Sequence, residues 1–371
     1  MSARHPKVDA SGAVAFTQPS TVAVIGGGIA GATCAASLQG AGMHVTVFEK
    51  ARGPGGRMAT RRVTVPGADG VAHTLAFDHG AQHITARSPR FRAAMRRAQA
   101  AGVVAPWQPR VHSGLPGRVQ ASGFVALPQM SALCRHLLQG VDVQAQRPVQ
   151  RLQRSAAGWQ VVTGSADKPP VTSGPFDHVM LAMPPAQAAV LLAGHHDGWA
   201  DALMSVRMDP CWTLMAATDD VDWPWDAAEP GAGPLAWVAR NDRKPGRSTP
   251  PGIATWVAHA TPAWSAEHLE ADPRVVAEAL RKALQSLLPA DRLSARPLRW
   301  LHSAAHRWRY ALPTAAALDA SECWWDAELG LGVCGDYMAG GGVEAAWRSG
   351  DELADTVAAW LEERQPEAET V

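Results

Sequence analysis

The feature that most constrains this chain is a six-residue run, Gly26-Gly27-Gly28-Ile29-Ala30-Gly31, set between two short apolar stretches. The stretch before it, Thr21-Val-Ala-Val-Ile25, is rich in β-branched residues and reads as a buried strand. Residues 29–39 read as a helix closed by Gly40 and Gly42, and His44-Val-Thr-Val-Phe48 reads as a second strand ending at Glu49. Strand, glycine turn, helix, strand and acid, in that order, make a dinucleotide-binding βαβ unit of about thirty residues. Gly26 permits the tight turn, Gly28 lets the backbone approach a pyrophosphate, and Gly31 lets helix and strand pack closely. The phosphates meet free N–H groups at the helix N-terminus beside Ala30, where the helix dipole favours negative charge. The carboxylate of Glu49, next to Lys50, can accept hydrogen bonds from a ribose diol.

The unit alone does not distinguish FAD from NAD. Gly53-Pro-Gly-Gly-Arg57-Met58 follows directly after the acid. A nicotinamide dehydrogenase has no need of a second glycine-arginine loop there, whereas a flavoenzyme uses one to wrap the pyrophosphate and ribityl chain. Arg57 is suited to offsetting phosphate or flavin charge. Gly56, Arg57 and Met58 therefore join the cofactor set, and the cofactor is read as FAD.

A chain of 371 residues suggests two domains at roughly 150 residues each. Lys plus Arg and Asp plus Glu both number 34, so there is no basic surplus to point to nucleic acid. The five cysteines are odd in number and lack CxxC spacing, which argues against a disulfide framework or a zinc site and for a reducing cytosol. No apolar run approaches the ~20 residues of a membrane helix. Residues 1–20 and 366–371 read as loose tails. Helices are expected over 127–139, 273–288 and 343–363, a hairpin or meander over 141–162, a strand over Phe176–Met183, and broken strands over 200–265. The 273–288 helix is well signalled by Asp272 as N-cap and Pro273 at its first position.

Three further stretches resemble a known family. They are Phe77-Asp-His-Gly-Ala-Gln-His-Ile-Thr85, Trp237-Val-Ala-Arg-Asn-Asp-Arg-Lys-Pro-Gly-Arg247, and His306-Arg-Trp-Arg-Tyr-Ala311 with Gly335-Asp336 through Gly350. With the Val22–Arg62 region they resemble the renalase branch of the flavin amine-oxidase superfamily, especially its bacterial members. The resemblance implies non-covalent FAD lined by Gly80, Ala81 and Gln82, and Asp336 on a ribityl hydroxyl. It also implies a final helix opened by Val343, Glu344 and Ala345 toward the flavin pyrimidine, and the Val149 backbone against adenine. Tyr337 and Gly342 depart from the family, which usually has tryptophan and a larger side chain there. Those departures bear on the pocket's shape and its substrate.

The expected fold is α/β: an FAD-binding Rossmann-like domain from 21–85, 121–185 and 325–365, interleaved with a mixed α/β substrate domain from 86–120 and 186–324. Flavin chemistry puts the reaction on the cofactor, so no catalytic side chain is assigned. No metal site is assigned either, and His195-His196-Asp197 reads as a solvated loop. Lys244 lies in a Pro/Gly turn and reads as a poor candidate for a lysine beside the flavin. Candidates for the pocket wall, each equally readable as core, are Gln82, His83, Trp308, Tyr310, Trp324 and Tyr337. Arg240 and Arg247 are candidate contacts to an anionic substrate. The resemblance implies a misformed dihydronicotinamide dinucleotide as hydride donor, with dioxygen as oxidant and hydrogen peroxide as product. The alternatives are an amine or carotenoid-type oxidoreductase, and a flavin-binding protein without turnover.

Overall fold

Val22–Ile25 is buried on both sides, as the β-branched centre of a parallel sheet must be. The computed structural model describes residues 7–8, 14–15, 19–66, 71–114, 122–165, 168–221, 223–288, 298–314 and 321–364. It sets Thr21–Ile25 inside a sheet ordered Asp142–Ala145, His44–Glu49, Thr21–Ile25, His178–Leu181, Leu331–Cys334, Cys323–Asp326. Every neighbouring pair is parallel except the last.

Alternate residues of these strands face two cores. Val22, Val24 and Cys334 pack under the helices Ile29–Gly40 and Gly342–Glu363. Ala23, Ile25 and Val333 pack under Pro185–Leu192, Asp197–Ser205 and the antiparallel meander Val149–Ser155, Gly158–Ser165, Lys168–Phe176. The two long helices on the first face touch backbone to backbone. A Cβ on Gly350 would lie 2.1 Å from the carbonyl oxygen of Ala30, so only glycine fits.

The second sheet runs Trp300–Pro313, Met208–Asp219, Ile253–Ala260, Leu235–Arg240, Ala227–Glu229, Val111–Ser113. It is antiparallel apart from its last pair. Helix Pro273–Ser286 covers one face through Val276, Leu280 and Leu284, against Trp212, Trp223 and Trp256. The hairpin Arg61–Pro66 and Ala72–Phe77 covers the other through Val65, Leu75 and Phe77. The chain crosses between the sheets several times, so the two halves are interleaved as expected.

Several expectations need correction. The 127–139 helix shrinks to Ala132–Leu137, because the segment before it is recruited elsewhere: Met130 N–H donates to Asp78 Oδ1 at 3.3 Å and Gln129 Oε1 accepts from Arg62. Residues 142–145 do not join the meander but pair with His44–Glu49. The strand expected over 176–183 is limited to His178–Leu181. Helices Asp197–Ser205 and Pro262–Glu267 interrupt the strands expected over 200–265. Asp272 caps Pro273–Ser286 as expected, accepting from Arg274 N–H at 2.7 Å. Trp324 falls on an edge strand of the cofactor sheet and not in the second unit. The expected tail 366–371 lies outside the described residues, and within 1–20 the short pair Lys7–Val8 and Val14–Ala15 is described.

Among the described residues no helix is long and apolar enough to cross a membrane. All five cysteines are free, and Cys34, Cys134, Cys323 and Cys334 are buried. His195 and His196 are packing residues: His195 meets Trp159, while His196 stacks on Trp199 and accepts its N–H.

Candidate functional site

The helix Ile29–Gly40 has no side-chain cap and no acid in its first turn. Its leading N–H groups are therefore left for a ligand, which is the arrangement that binds phosphate. Gly31 presses on the turn, since a Cβ there would lie 2.0 Å from Gly26 O. Glu49 is 5% exposed and holds the loop from behind, accepting from Gly27 N–H at 2.8 Å and from Ala51 N–H at 2.7 Å. The second loop lies against the first: Gly55 N–H donates to Gly27 O, and a Cβ on Gly56 would lie 3.1 Å from Gly28 Cα. Both loops present backbone rather than side chains where they meet, as a pyrophosphate site requires.

Arg57 and Asp336 pair through both guanidinium nitrogens, at 2.8 and 2.6 Å, and Arg57 also donates to Ala311 O. Gly80 sits on the Arg57 backbone, where a Cβ would come within 1.8 Å of the carbonyl oxygen, and Ala81 N–H donates to that same oxygen. Gly340 and Gly342 have open space where a Cβ would stand, at the mouth of the final helix. Its first turn carries Val343, Glu344 and buried Ala345. These features fit FAD: glycine-lined backbone for the phosphates, Glu49 for the ribose, and the Arg57–Asp336 pair along the ribityl side.

Other expected cofactor residues stand less directly. The Glu344 carboxylate accepts from Arg87 N–H and Ser88 N–H, so its side chain ties down a neighbouring segment. Lys50 donates outward to Gln187. Met58 is buried in the core, and Val149 packs at the edge of the cluster around Phe48.

The turn Asp78–Gln82 is held from three distant parts of the chain. Arg247 donates to Asp78 Oδ2 through Nε at 2.9 Å and Nη2 at 2.6 Å, and Thr60 donates to Oδ1. Burial alone would raise the Asp78 pKa, but Lys244 and Arg247 outweigh it and hold the carboxyl below its ordinary value. Asn241 accepts from Asp78 N–H and donates to Ala76 O. Trp308 Nε1–H donates to His79 O at 2.9 Å, with its ring 5.0 Å from His79 and 4.6 Å from His306. Lys244 Nζ donates to Gln82 Oε1 at 3.1 Å and lies 3.6 Å from Asp78 Oδ2. The Gln82 amide N–H then faces Asp78 O, Gly80 O and His259 Nε2, the last at 3.1 Å.

The electrostatics follow from burial. It pushes His79 and His259 down to about 4, with His306 and Arg61 assisting at His79 and Lys244 at His259. Both rings are neutral at pH 7. Burial also lowers Lys244, to about 8, with Asp78 opposing and Arg247 assisting.

Gln82, His83 and Trp308 therefore gather around the Asp78–Gln82 turn, and Tyr310 is half-buried on the Trp308 strand. Three candidates do not gather there. Arg240 is 2% exposed, paired with Asp220 and Asp242 and packed over Trp256, so it has no free donor face for a substrate. Trp324 packs on Trp199 at the sheet edge. Tyr337 is fully buried beneath the sheet among Ala23, Val333 and Met338. Arg247 reaches the site but is committed to Asp78. Lys244, set aside on its turn context, is instead fully buried at the site. Its turn is a real one, closed by Arg247 N–H to Lys244 O with Gly246 at φ +72°, but the lysine points inward. His259 carried no local signal at all.

A family model described as flavin containing amine oxidoreductase matches residues 117–358, and one described as an NAD(P)-binding Rossmann-like domain matches residues 24–98. The chain belongs to the flavin containing amine oxidoreductase family. It is an FAD-dependent oxidoreductase. Solved structures agree on the fold. A protein described as a protoporphyrinogen oxidase from Exiguobacterium sp. 255-15 superimposes with a TM-score of 0.67 at 12% identity, covering 93% of this chain and 100% of that one. The cyclohexylamine oxidase of Brevibacterium oxydans IH-35A gives 0.64 at 13% identity, with 93% and 100% covered. Among curated proteins, the bifunctional tRNA 5-methylaminomethyl-2-thiouridine biosynthesis protein MnmC of Magnetococcus marinus is 28% identical over 201 residues. That match takes in 44% of this chain and 29% of the relative's length.

Proposed function

We propose that this member of the family oxidises an isomeric dihydronicotinamide dinucleotide by hydride transfer, with non-covalent FAD and dioxygen as the oxidant. The observation that carries the reading is the convergence of two renalase-like stretches, Trp237–Arg247 and then His306–Ala311, on the turn inside the third, Phe77–Thr85. Asn241, Lys244 and Arg247 from the first, and Trp308 from the second, all bind Asp78–Gln82. Cofactor binding alone does not require that convergence, whereas a dedicated substrate wall does. The bound flavin supplies the hydride acceptor. The chain holds the donor beside Trp308, His79 and His259, and the two histidines are neutral there. A dihydropyridine becomes a cationic aromatic ring as its hydride leaves, and an uncharged wall does not oppose that charge. No base is needed, because no proton leaves the substrate. Dioxygen then takes two electrons and two protons to give hydrogen peroxide.

One observation favours a second reading, amine oxidation. Lys244, lowered to about 8, supplies a group that is partly unprotonated in mildly basic solution, as an amine substrate needs. Anaerobic mixing separates the two. Rapid flavin bleaching by the 2- or 6-dihydro isomers, with slow bleaching by the ordinary 4-dihydro form and by amines, is expected. Rapid bleaching by amines with the isomers inert would replace the first reading by the second.

A further inference from the structure

Behind Gln82 lie two buried ring nitrogens with no hydrogen-bond partner among the described residues, beside the paired ammonium of Lys244. Lys244 donates to Gln82 Oε1 at 3.1 Å and faces Asp78 Oδ2 at 3.6 Å, which leaves one of its three N–H donors without an acceptor among the described residues. Its ammonium lies 5.6 Å above the Trp107 ring. His83 stands 5.9 Å from that ring and 5.7 Å from the ring of Trp237. Trp237 Nε1 and His83 Nδ1 are both buried without a hydrogen-bond partner. Trp237 is 8% exposed, so its indole N–H has little access to water. An indole N–H can only donate, and an ammonium can only donate.

Each buried polar group left unpaired costs about 1–3 kcal/mol. A fold seldom tolerates two on adjoining rings, beside a buried cation, unless something else completes them. What is missing is an acceptor. Burial and Lys244 push the His83 pKa down, with Glu229 opposing. A neutral imidazole can present Nδ1 either as a donor or as an acceptor. Trp107 is 4% exposed and already carries Lys244 and His83, so its ring backs the two polar groups as a wall.

We infer that Lys244, Trp237, His83 and Trp107 form a subsite for a planar group bearing an sp² oxygen, a carboxamide or a carboxylate carried on an aromatic ring. The inference deepens the dihydronicotinamide reading, on which it rests for which end of the substrate enters. Trp237 Nε1–H and the Lys244 ammonium donate to the oxygen. His83 Nδ1 accepts from the amide N–H of a carboxamide, or donates to the second oxygen of a carboxylate.

The test uses oxidised holoprotein and three ring compounds that have no hydride to give: nicotinamide, nicotinate and 3-methylpyridine. Binding is read by calorimetry and by the shift of the flavin absorbance. Nicotinamide or nicotinate should bind about tenfold more tightly than 3-methylpyridine, the worth of one good hydrogen bond in a dry site. Tighter nicotinamide assigns the subsite to a carboxamide, and tighter nicotinate to a carboxylate. Trp237→Phe keeps the flat ring and removes the donor, so it should reduce that preference severalfold while leaving 3-methylpyridine unaffected. Lys244→Met should do the same, most strongly for nicotinate. Equal binding of all three compounds to the native protein, or an undiminished preference in Trp237→Phe, overturns the inference. These probes cannot reduce the flavin. The subsite can therefore fail while the dihydro isomers still bleach it, and the isomers can prove inert while the subsite stands.

Discussion

Arg57 and Asp336, both expected along the cofactor, grip each other in a two-pronged ion pair, with Asp336 2% exposed. Arg57→Met leaves that carboxylate buried and unpaired. Breaking a buried pair from one side costs about 3–5 kcal/mol, but Arg57 keeps 31% of its side chain exposed, so about 1–3 kcal/mol is the expected loss. Urea unfolding of the FAD-free protein measures it. An unchanged midpoint would show the pair to be incidental.

Glu49 serves the loop as well as any ribose, because it binds Gly27 N–H and Ala51 N–H directly. Glu49→Ala should therefore lower both FAD affinity, by about 10- to 100-fold, and the melting temperature of the stripped protein, at roughly 1.5–3 kcal/mol for each charge-assisted bond. FAD titration by fluorescence quenching and a thermal scan of apoprotein read the two effects separately. A loss of affinity without a change in melting would confine Glu49 to the ligand.

Gly80→Ala and Gly53→Ala make a matched pair. The first drives a methyl to 1.8 Å from Arg57 O, while the second meets nothing within 4 Å. Gly80→Ala is expected to cost about 3 kcal/mol or more, and Gly53→Ala to stay within about 0.5 kcal/mol. Similar denaturant midpoints for the two would mean that the backbone around Arg57 yields more than its packing indicates.

Acidification should destabilise the protein before its carboxylates titrate. His79 and His259 fall to about 4 in the folded state, against about 6.5 unfolded. Between those values the unfolded chain binds more protons, so stability rises with pH and is lost on going down from about 6.5 to 4. Each ring contributes at most about 3 kcal/mol over that window. The depressed Asp78 adds a further loss only at lower pH, as its own carboxyl protonates. Denaturant unfolding at stepped pH should show the slope, and His259→Gln should make it shallower. A flat profile down to pH 4.5 would contradict the buried-neutral assignment.

The βαβ unit was legible because everything that specifies it is local: glycines, β-branched runs and an acid within one short stretch. The family resemblance drew attention to Gln82 and Trp308, which the structure sets on one turn. Their partners were not legible, since Lys244 meets Gln82 across 162 residues, His259 across 177, and Trp308 meets His79 across 229. Such pairs are set by the packing of the second sheet against the Asp78 turn, which no single segment encodes. Trp324 and Tyr337 were misplaced because an aromatic residue on a short buried strand or turn does not announce which face it takes. Arg240 was misplaced although Asp242 stood two residues away, ready to neutralise it. The 127–139 helix failed where Asp78 competed successfully for the backbone of Met130.

The close contact of Gly350 with Ala30 also bears on when the protein can take up its cofactor. The glycine turn precedes the rest of its site in the chain: the sheet beside it needs Leu331–Cys334, and the helix that seals it needs Gly350. Some three hundred residues of sequence separate the glycine turn from that strand. Tight FAD binding is therefore expected only once Leu331–Cys334 has paired and Gly350 has closed on Ala30. A stalled or shortened chain ending before that strand would carry the whole nucleotide fingerprint and still emerge colourless.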